Sequence, residues 1–313
     1  MSYLITGGAG FIGNYLCERL LDMKKNIVVV DDFSLGLPVN IERFKENPLF
    51  TFYNVDINSD NFEPIFKNHS FETIFHLAAN SNIDRSFKNP NIDIDNTLNT
   101  TITILNCMKK YGIKELIFAS SSAIYGETFE QHVDEKFGPL IPQSHYGAAK
   151  MASEGFIYSY CENYGLKAWI ARFPNVVGDY STHGVVYDFI KKLKLDSKVL
   201  EILGDGKQTK SYLYISDLID ALLFIWKESN DNVNIFNIGN NSSINVKEIA
   251  EITCKAMNVS PEFKFQGGSR GWVGDVPNFT FDFEKLKNLG WNPKFSSEEA
   301  VFMTAIWLRD NIH

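Results

Sequence analysis

The sequence predicts an α/β fold: a doubly wound parallel sheet followed by a smaller, mixed α/β C-terminal region. Three observations support this prediction. A glycine-rich turn follows the first apolar run, short apolar runs alternate with amphipathic stretches, and the alternation continues to about residue 176 before it loosens. Continuous apolar runs are typical of strands buried on both faces, and their alternation with helices is typical of a parallel sheet.

The individual elements follow from local patterns along the chain. Leu4-Ile5 forms a strand that leads into the glycines, and the apolar run 27–30 forms a second strand that ends at Asp31. The stretch 93–111 repeats apolar residues at helical spacing, and Gly165 ends a helix over 146–164 as its C-cap. The other predicted strands are 51–57, 73–79, 116–119 and 168–170, and the other predicted helices are 14–23, 217–226, 246–257 and 297–308.

The change of rhythm at about residue 176 predicts two parts. We expect a first domain of residues 1–176 and a second region of residues 177–313. The boundary is expected to interleave, with a segment at about 210–240 returning to the first domain.

Composition excludes several classes of function. The 313 residues include 30 Lys+Arg and 38 Asp+Glu, for a net charge of −8, and no extended basic run occurs, so nucleic acid is not expected as a partner. The best apolar stretch, 221–226, is too short to cross a bilayer and no signal peptide is indicated, so we expect a cytoplasmic protein without a membrane partner. The cysteines are far apart and none forms a C-x-x-C pair, so we expect neither a metal site nor disulfides; they are Cys17, Cys107, Cys161 and Cys254.

The glycine turn predicts a dinucleotide site. Gly7, Gly10 and Gly13 lie between a strand and a helix, where glycine lets the backbone approach a pyrophosphate at the helix N-terminus. Asp31 lies 18 residues beyond Gly13, at the end of the next strand, where an acidic residue binds the adenosine ribose. A carboxylate repels a 2'-phosphate, so the pattern favours NAD over NADP. The alternative interpretation of Asp31 is a turn residue that ends the strand.

A second pattern predicts hydride chemistry on an alcohol. Tyrosine is a poor base at its free pKa of about 10, but a nearby ammonium group stabilises the phenolate. Tyr146 and Lys150 share one face of a predicted helix, and Ser121 follows a predicted strand 25 residues before Tyr146. The same spacing recurs in Tyr187 and Lys191, which no strand ending in hydroxyls precedes at that distance, so we interpret that pair as part of a surface helix.

These motifs together resemble one protein family. The chain is similar to the extended short-chain dehydrogenase/reductases, in particular the NAD-dependent nucleotide-sugar epimerases and dehydratases, over nearly its whole length. The resemblance implies a Rossmann domain in residues 1–176 and a substrate-binding region in 177–313. It rests on residues 6–13 (TGGAGFIG), 76–79 (HLAA), 121–126 (SSAIYG), 146–150 (YGAAK), 172–178 (RFPNVVG) and 237–239 (NIG).

The resemblance implies a role for each site residue. Tyr146 would remove the proton of a sugar hydroxyl at C4 while the hydride passes to NAD+; Ser121 would bond the same oxygen, and Lys150 would hold the nicotinamide ribose. The residues expected to bind the cofactor are Gly7, Gly10, Phe11, Ile12, Gly13, Asp31, Asp32, Asp56, Ile57, Leu77, Ala78, Ala79, Asn96, Tyr146, Lys150 and Phe173. Those expected to bind the substrate are Ser121, Ser122, Asn175, Lys210, Arg270, Trp272 and Phe279.

Two departures from the family pattern bear on the reaction. Ser122 and Ala123 occupy the places where 4,6-dehydratases carry an acidic pair, so dehydration is not expected. No cysteine lies beside Ser121, as the family's 3,5-epimerase/reductases would require. The hypotheses that remain are a 4-epimerase and a net 4-dehydrogenase that releases a 4-keto sugar, with a non-catalytic NAD-sensing protein as a remote third.

Other departures bear on the substrate. Lys210 and Trp272, with Arg270 close by, stand where the family often has two arginines that clamp the diphosphate, so a standard UDP-hexose is in doubt and a GDP-heptose becomes a candidate. Phe279 would restrict the room for an N-acetyl group. The nucleotide base, the sugar and the fate of the hydride stay open. The resemblance further implies a role in polysaccharide biosynthesis and a homodimer formed through the helices at about 93–111 and 146–164.

Overall fold

A computed structural model describes residues 1–128, 133–268 and 282–312. Its main feature is a seven-stranded sheet in the spatial order β11-β6-β5-β4-β1-β2-β3. All strand pairs from β3 across to β6 are parallel. The strands are β1 (Ser2–Thr6), β2 (Ile27–Asp31), β3 (Phe50–Asn54), β4 (Phe71–His76), β5 (Glu115–Ala119), β6 (Lys167–Arg172), β7 (Asn175–Val177), β8 (Val199–Ile202), β9 (Thr209–Lys210), β10 (Tyr212–Tyr214), β11 (Val233–Asn237), β12 (Ile244–Asn245) and β13 (Glu262–Phe265).

The order of the strands confirms the predicted doubly wound fold. The chain runs outward from β1 through β2 to β3, returns to the other side of β1 as β4, and continues outward to β6. The carboxyl edge beside such a reversal is where doubly wound sheets bind their ligands. The helices are α1 (Phe11–Asp22), α2 (Val39–Glu42), α3 (Glu63–Asn68), α4 (Ile83–Lys88), α5 (Asn91–Asp93), α6 (Thr100–Tyr111), α7 (His145–Tyr164), α8 (Val185–Leu195), α9 (Ile215–Glu228), α10 (Val246–Met257), α11 (Glu284–Asn288) and α12 (Ser297–Asn311), with a π-helix at Ile94–Asn99 and a 3₁₀-helix at Ser122–Ile124.

Two predicted strands end earlier than the sequence indicated. The third ends at Asn54, not at residue 57, because the Asp56 carboxylate accepts the Asn58 N–H and folds the chain into a turn. The fourth ends at His76, not at residue 79. Beyond it, the Ala78 N–H bonds the Thr6 hydroxyl, so the chain passes beneath the glycine turn.

The predicted helix over 93–111 is broken into three pieces. A π-helix, Ile94–Asn99, separates α5 from α6. The hydroxyls of Thr100 and Thr101 both donate to the Thr97 carbonyl, and such side-chain bonds compete with the regular helical ladder. π-Helical turns are frequent at functional sites.

The chain forms two compact units. The first comprises residues 1–126, 138–172 and 222–236, and the second comprises 127–137, 173–221 and 237–313. The chain passes from the first unit to the second after residue 172, and residues 127–137 also belong to the second unit. The first unit contains the seven-stranded sheet; in the second, β7 pairs with β10, β8 with β13 and β9 with β12.

Each unit has its own apolar core. Leu4, Val28 and Ile74 from neighbouring strands contribute to the core of the first unit. The second core gathers apolar residues of α8, α10 and α12. All four cysteines are buried and free. Among the described residues, no helix combines the length and the apolar character needed to cross a membrane.

Candidate active site

The glycine turn between β1 and α1 has the geometry of a phosphate cradle. Gly7 has a φ of +72°, and a Cβ on it would lie 2.7 Å from the Ala78 nitrogen. A Cβ on Gly13 would lie 2.2 Å from the Gly7 carbonyl oxygen, so these two positions require glycine. A Cβ on Gly10 would meet only the Gly7 oxygen, at 3.2 Å, so the space beyond Gly10 is open to a ligand.

The start of α1 suits an anion. Gly10 is the N-cap and offers no side chain to the N–H groups of the first turn. Such N–H groups and the positive end of the helix dipole bind pyrophosphates. Phe11, Ile12 and Gly13 form that first turn, so the cradle fits the pyrophosphate of a dinucleotide.

Asp31 is buried at the end of β2, beside the glycine turn. Its two oxygens accept the N–H groups of Ala9, at 2.9 Å, and Phe33, at 2.8 Å. Burial raises the pKa of the Asp31 carboxyl, and these two hydrogen bonds oppose the rise. A carboxylate has further lone pairs beyond the two in use, so Asp31 can still accept ribose hydroxyls.

The other predicted cofactor residues differ in their surroundings. Asp32 is exposed and accepts the Ser34 N–H, and Asp56 is exposed and caps its own turn, so local turns account for both carboxylates. Leu77, Ala78 and Ala79 are half-buried in the loop after β4. Three further positions are an exposed Asn96 on the π-helix, a buried Ile57 after β3 and a buried Phe173 in the second unit.

The structure brings Ser121, Tyr146 and Lys150 together. Ser121 follows β5 and caps the 3₁₀-helix, and its side chain interacts with the Tyr146 phenol and lowers the pKa of that phenol. Tyr146 and Lys150 lie on successive turns of α7, with Lys150 Nζ 5.9 Å from the centre of the Tyr146 ring. Lys150 Nζ also donates to the Ala119 carbonyl at 2.6 Å, which fixes it at the end of β5.

Burial controls the electrostatics of this group. Lys150 is 2% exposed, and desolvation lowers its pKa to about 7, while the charges of Glu154 and Asp93 act in the opposite direction. Burial raises the pKa of the Tyr146 phenol, and the hydrogen bond with Ser121 opposes that rise. Lys150 therefore titrates near neutral pH, where a modest change in its surroundings decides whether it carries a charge.

A buried ion pair beneath the three residues was not predicted from the sequence. The Arg172 guanidinium donates to both Glu154 oxygens, and the Tyr125 hydroxyl accepts from Arg172 at 2.8 Å. The Ser120 hydroxyl, next to Ser121, donates to Glu154. A sequence signal existed: Glu154 continues the four-residue spacing of Tyr146 and Lys150 along α7.

Asp93 was also missed. It is 1% exposed in α5, which packs against α7, and its Oδ1 accepts the Asn80 Nδ2 at 2.9 Å. Its Oδ2 has no hydrogen-bond partner within the part of the chain that the structure describes. The sequence marked residue 93 only as the start of a helix, and nothing in the local pattern showed that its carboxylate would be buried.

The other tyrosine–lysine pair lies in different surroundings. Tyr187 and Lys191 are on α8, with Lys191 Nζ 5.4 Å from the ring, but Lys191 is exposed. His76 is buried in β4 between the hydroxyls of Thr6 and Thr101, and burial lowers its pKa to about 3, so it is a neutral core residue.

The structure describes some of the residues that were predicted to bind the substrate, and others lie outside the described ranges. Ser122 is half-buried in the 3₁₀-helix; Asn175 is exposed in β7 and Lys210 is half-buried in β9, both in the second unit. Arg270, Trp272 and Phe279 lie outside the described residues. Within the described ranges, no group of three or more His, Cys, Asp or Glu side chains is arranged to hold a metal ion.

Comparison with known proteins identifies the family. The sequence profile of the NAD dependent epimerase/dehydratase family matches residues 3–239, which is more than half of the chain. The chain belongs to this family and is an NAD-dependent enzyme. The recognition made from the motifs is thereby confirmed, as is the cofactor.

Several relatives match over nearly their full length. The chain is 32% identical to a putative UDP-glucose 4-epimerase of Methanocaldococcus jannaschii over 98% of both chains. It is 28% identical to the human dTDP-D-glucose 4,6-dehydratase, covering 99% of this chain and 90% of the relative. Its fold matches the crystal structure of UDP-glucose 4-epimerase with UDP-glucose from Thermotoga maritima with a TM-score of 0.90 and 32% identity, covering 100% of both chains.

Proposed function

We propose that this protein is a nucleotide-sugar 4-epimerase, which oxidises the C4 hydroxyl of a nucleoside-diphosphate sugar and reduces the 4-keto sugar again with inverted configuration. The observation that carries the proposal is the grouping of Ser121, Tyr146 and Lys150 at the carboxyl edge of the sheet that also bears the glycine cradle. The epimerase relatives, at 32% identity, support the same assignment.

Each residue of the group has a chemical task in this proposal. The Tyr146 phenolate removes the proton of the C4 hydroxyl, and the Ser121 hydroxyl hydrogen-bonds the same oxygen as its charge changes. The Lys150 ammonium stabilises the phenolate and holds a ribose hydroxyl of the cofactor. NAD, held by the glycine cradle, Asp31 and Lys150, would supply the hydride acceptor for C4 and the hydride donor for the return step.

The two units have separate tasks in this proposal. The first unit binds NAD: the cradle at Gly7, Gly10 and Gly13 holds the pyrophosphate and Asp31 holds the adenosine ribose. The second unit binds the nucleotide and sugar through Asn175 and Lys210. The turn residues Asp32 and Asp56 contribute through the backbone shape that they impose.

Dehydration is the less suitable reaction for this site. Water loss needs a second acid and base next to the hydroxyl residue, and the chain has Ser122 and Ala123 there. Ser122 is half-buried in the 3₁₀-helix that Ser121 begins, so its neutral hydroxyl stands where an acidic side chain would act.

The test is a substrate panel with two readouts. Purified protein is mixed with UDP-, dTDP-, GDP- and CDP-sugars, including heptoses, with and without added NAD+ or a keto-acid acceptor. Inversion at C4 by NMR with no net change at 340 nm is the expected result. A 4-keto sugar that accumulates only as NAD+ is reduced or the acceptor is consumed would establish a 4-dehydrogenase instead. No reaction with any sugar, while NAD still binds, would favour an NAD-sensing protein.

We further propose a homodimer that works in a reducing compartment. Phe156 and Tyr158 are 42% and 53% exposed on α7, and Ile94 on the π-helix is 46% exposed. Large apolar side chains on neighbouring elements are typical of a surface that a second copy covers.

The four free thiols agree with a reducing setting, and the activated sugar would serve polysaccharide assembly.

A further inference from the structure

Asp93 has a buried carboxylate close to the active-site helix α7. It lies within the first unit, on α5, which packs against the helix of Tyr146 and Lys150. An ionised carboxylate is costly to bury unless a cation or several donors compensate for it. Its Oδ1 accepts from Asn80 Nδ2, a neutral amide, and its Oδ2 has no hydrogen-bond partner among the described residues.

Asn80 connects Asp93 to the cofactor side of the site. It follows Leu77, Ala78 and Ala79 along the loop after β4, and its N–H donates to the Thr97 hydroxyl at 3.2 Å. The Nδ2 group that donates to Asp93 also donates to Ser86 Oγ at 2.9 Å. The carboxylate is thus held in one orientation by neutral groups, which leaves its charge uncompensated by a local cation in that network.

The charged groups around Lys150 differ in how far they are neutralised. Glu154, on the same helix, accepts hydrogen bonds from Nε and Nη2 of Arg172, from β6. His76, from β4, is neutral at working pH, and burial raises the pKa of the Tyr146 phenol, which disfavours a negative charge there. Glu154 acts more strongly on Lys150, but its charge is paired with Arg172, whereas Asp93, from α5, has no cation in its hydrogen-bond network among the described residues.

We propose that Asp93 is a positioning residue of the active site, whose charge keeps Lys150 an ammonium ion at working pH. The proposal rests on the function proposed above, in which that ammonium stabilises the Tyr146 phenolate. Burial is the largest influence on the pKa of Lys150 and lowers it to about 7, while the charges of Glu154 and Asp93 act against that fall. Without Asp93, the pKa of Lys150 would fall further, so a larger fraction of Lys150 would be neutral at pH 7 and the phenolate would lose part of its counter-charge.

The Asp93 charge shifts the pKa values of Lys150 and Tyr146 in the same direction. A negative charge raises the pKa of a nearby lysine and of a nearby tyrosine, and Asp93 acts in this direction on Lys150 and on Tyr146. Removing it lowers both pKa values. If Lys150 and Tyr146 limit the pH–rate profile, both limbs of that profile should move to lower pH in a variant without the Asp93 charge. A purely structural defect would lower the rate at every pH without moving either limb.

The decisive experiment titrates Lys150 directly. The full-length protein is labelled with 13Cε-lysine, and the Lys150 signal is assigned by its loss in Lys150→Arg. In Asp93→Asn we expect the midpoint to fall by about one pH unit, the usual effect of losing an opposite charge nearby. Asp93→Glu should restore it. The matched control is Asp95→Asn, which removes an equal charge from an exposed position two residues away and should leave the midpoint in place.

The outcomes separate this proposal from the function on which it rests. An unchanged midpoint in Asp93→Asn, or an equal shift in Asp95→Asn, would overturn the role of Asp93. High activity of Tyr146→Phe would overturn the catalytic proposal and leave the Lys150 titration intact. If circular dichroism shows that Asp93→Asn does not fold, Asp93→Ser replaces it as the neutral variant.

Discussion

At the scale of single residues, environment separates two side-chain pairs that the sequence presents in the same way. Tyr146–Lys150 and Tyr187–Lys191 have the same spacing on a helix, and both lysines lie within 6 Å of the aromatic ring. Lys150 is buried, and desolvation moves its pKa toward neutrality; Lys191 is exposed. Only a buried pair can exchange charge over the pH range in which an enzyme works.

This difference predicts the outcome of two matched substitutions. Tyr146→Phe removes the proposed base and should lower turnover of the accepted sugar nucleotide by about 10²–10⁴-fold. NAD affinity, measured by calorimetry, should stay close to that of the wild type, because the cradle and Asp31 are untouched. Tyr187→Phe should keep full activity. Near-normal turnover by Tyr146→Phe would eliminate the proposed mechanism.

The residues that the sequence predicted and those that it missed differ in one physical respect. Gly7, Gly13 and Asp31 were predicted because their task depends on local backbone geometry, which spacing along the chain records. Asp93 and Arg172 were missed because their importance comes from burial against residues distant in sequence. Arg172 lies within a motif that the sequence analysis used and Glu154 continues the spacing of Tyr146 and Lys150, but no local pattern indicates that the two side chains pair.

At the scale of elements, the chain positions its site by the way strands and helices end. The predicted alternation was correct, and α10 has the predicted bounds of 246–257. The prediction placed the ends of two strands too late and made 93–111 one continuous helix. Side-chain hydrogen bonds of Asp56 and Thr100, not hydrophobic periodicity, decide where the third strand and the helix are interrupted.

The Glu154–Arg172 pair joins α7 to β6, and its removal should be costly. Glu154→Gln leaves the Arg172 charge buried without its partner, so we expect the free energy of unfolding to fall by about 3–5 kcal/mol. Urea denaturation would measure the change. The double variant Glu154→Leu/Arg172→Met should recover much of the loss, because no buried charge then remains. The control is Glu63→Gln in the exposed Glu63–Lys110 pair, which should change stability little. A comparably small effect of Glu154→Gln would show that the buried pair does not hold these elements together.

At the scale of the whole molecule, the fold class followed from the sequence because alternation persists over many residues and averages out local errors. The division into units was harder to predict. Residues 127–137 lie between Tyr125 and Tyr146 in sequence, yet they group with the second unit, where Asn237 bonds both Glu135 and the Val133 carbonyl. Those bonds span about a hundred residues, so no local pattern could indicate them.

The surface of α7 carries the last prediction, that of a homodimer. A helix on the surface of a monomer keeps its apolar residues on one face. On α7, the buried Ile157 lies between the exposed Phe156 and Tyr158, so apolar side chains point in several directions. Light scattering should therefore give about twice the chain mass of 35.6 kDa. The double variant Phe156→Glu/Tyr158→Glu should give the monomer mass, whereas Leu195→Glu, at an 88% exposed apolar residue of the second unit, should remain dimeric. A wild-type protein that elutes and scatters as a monomer at micromolar concentration would rule out this interface.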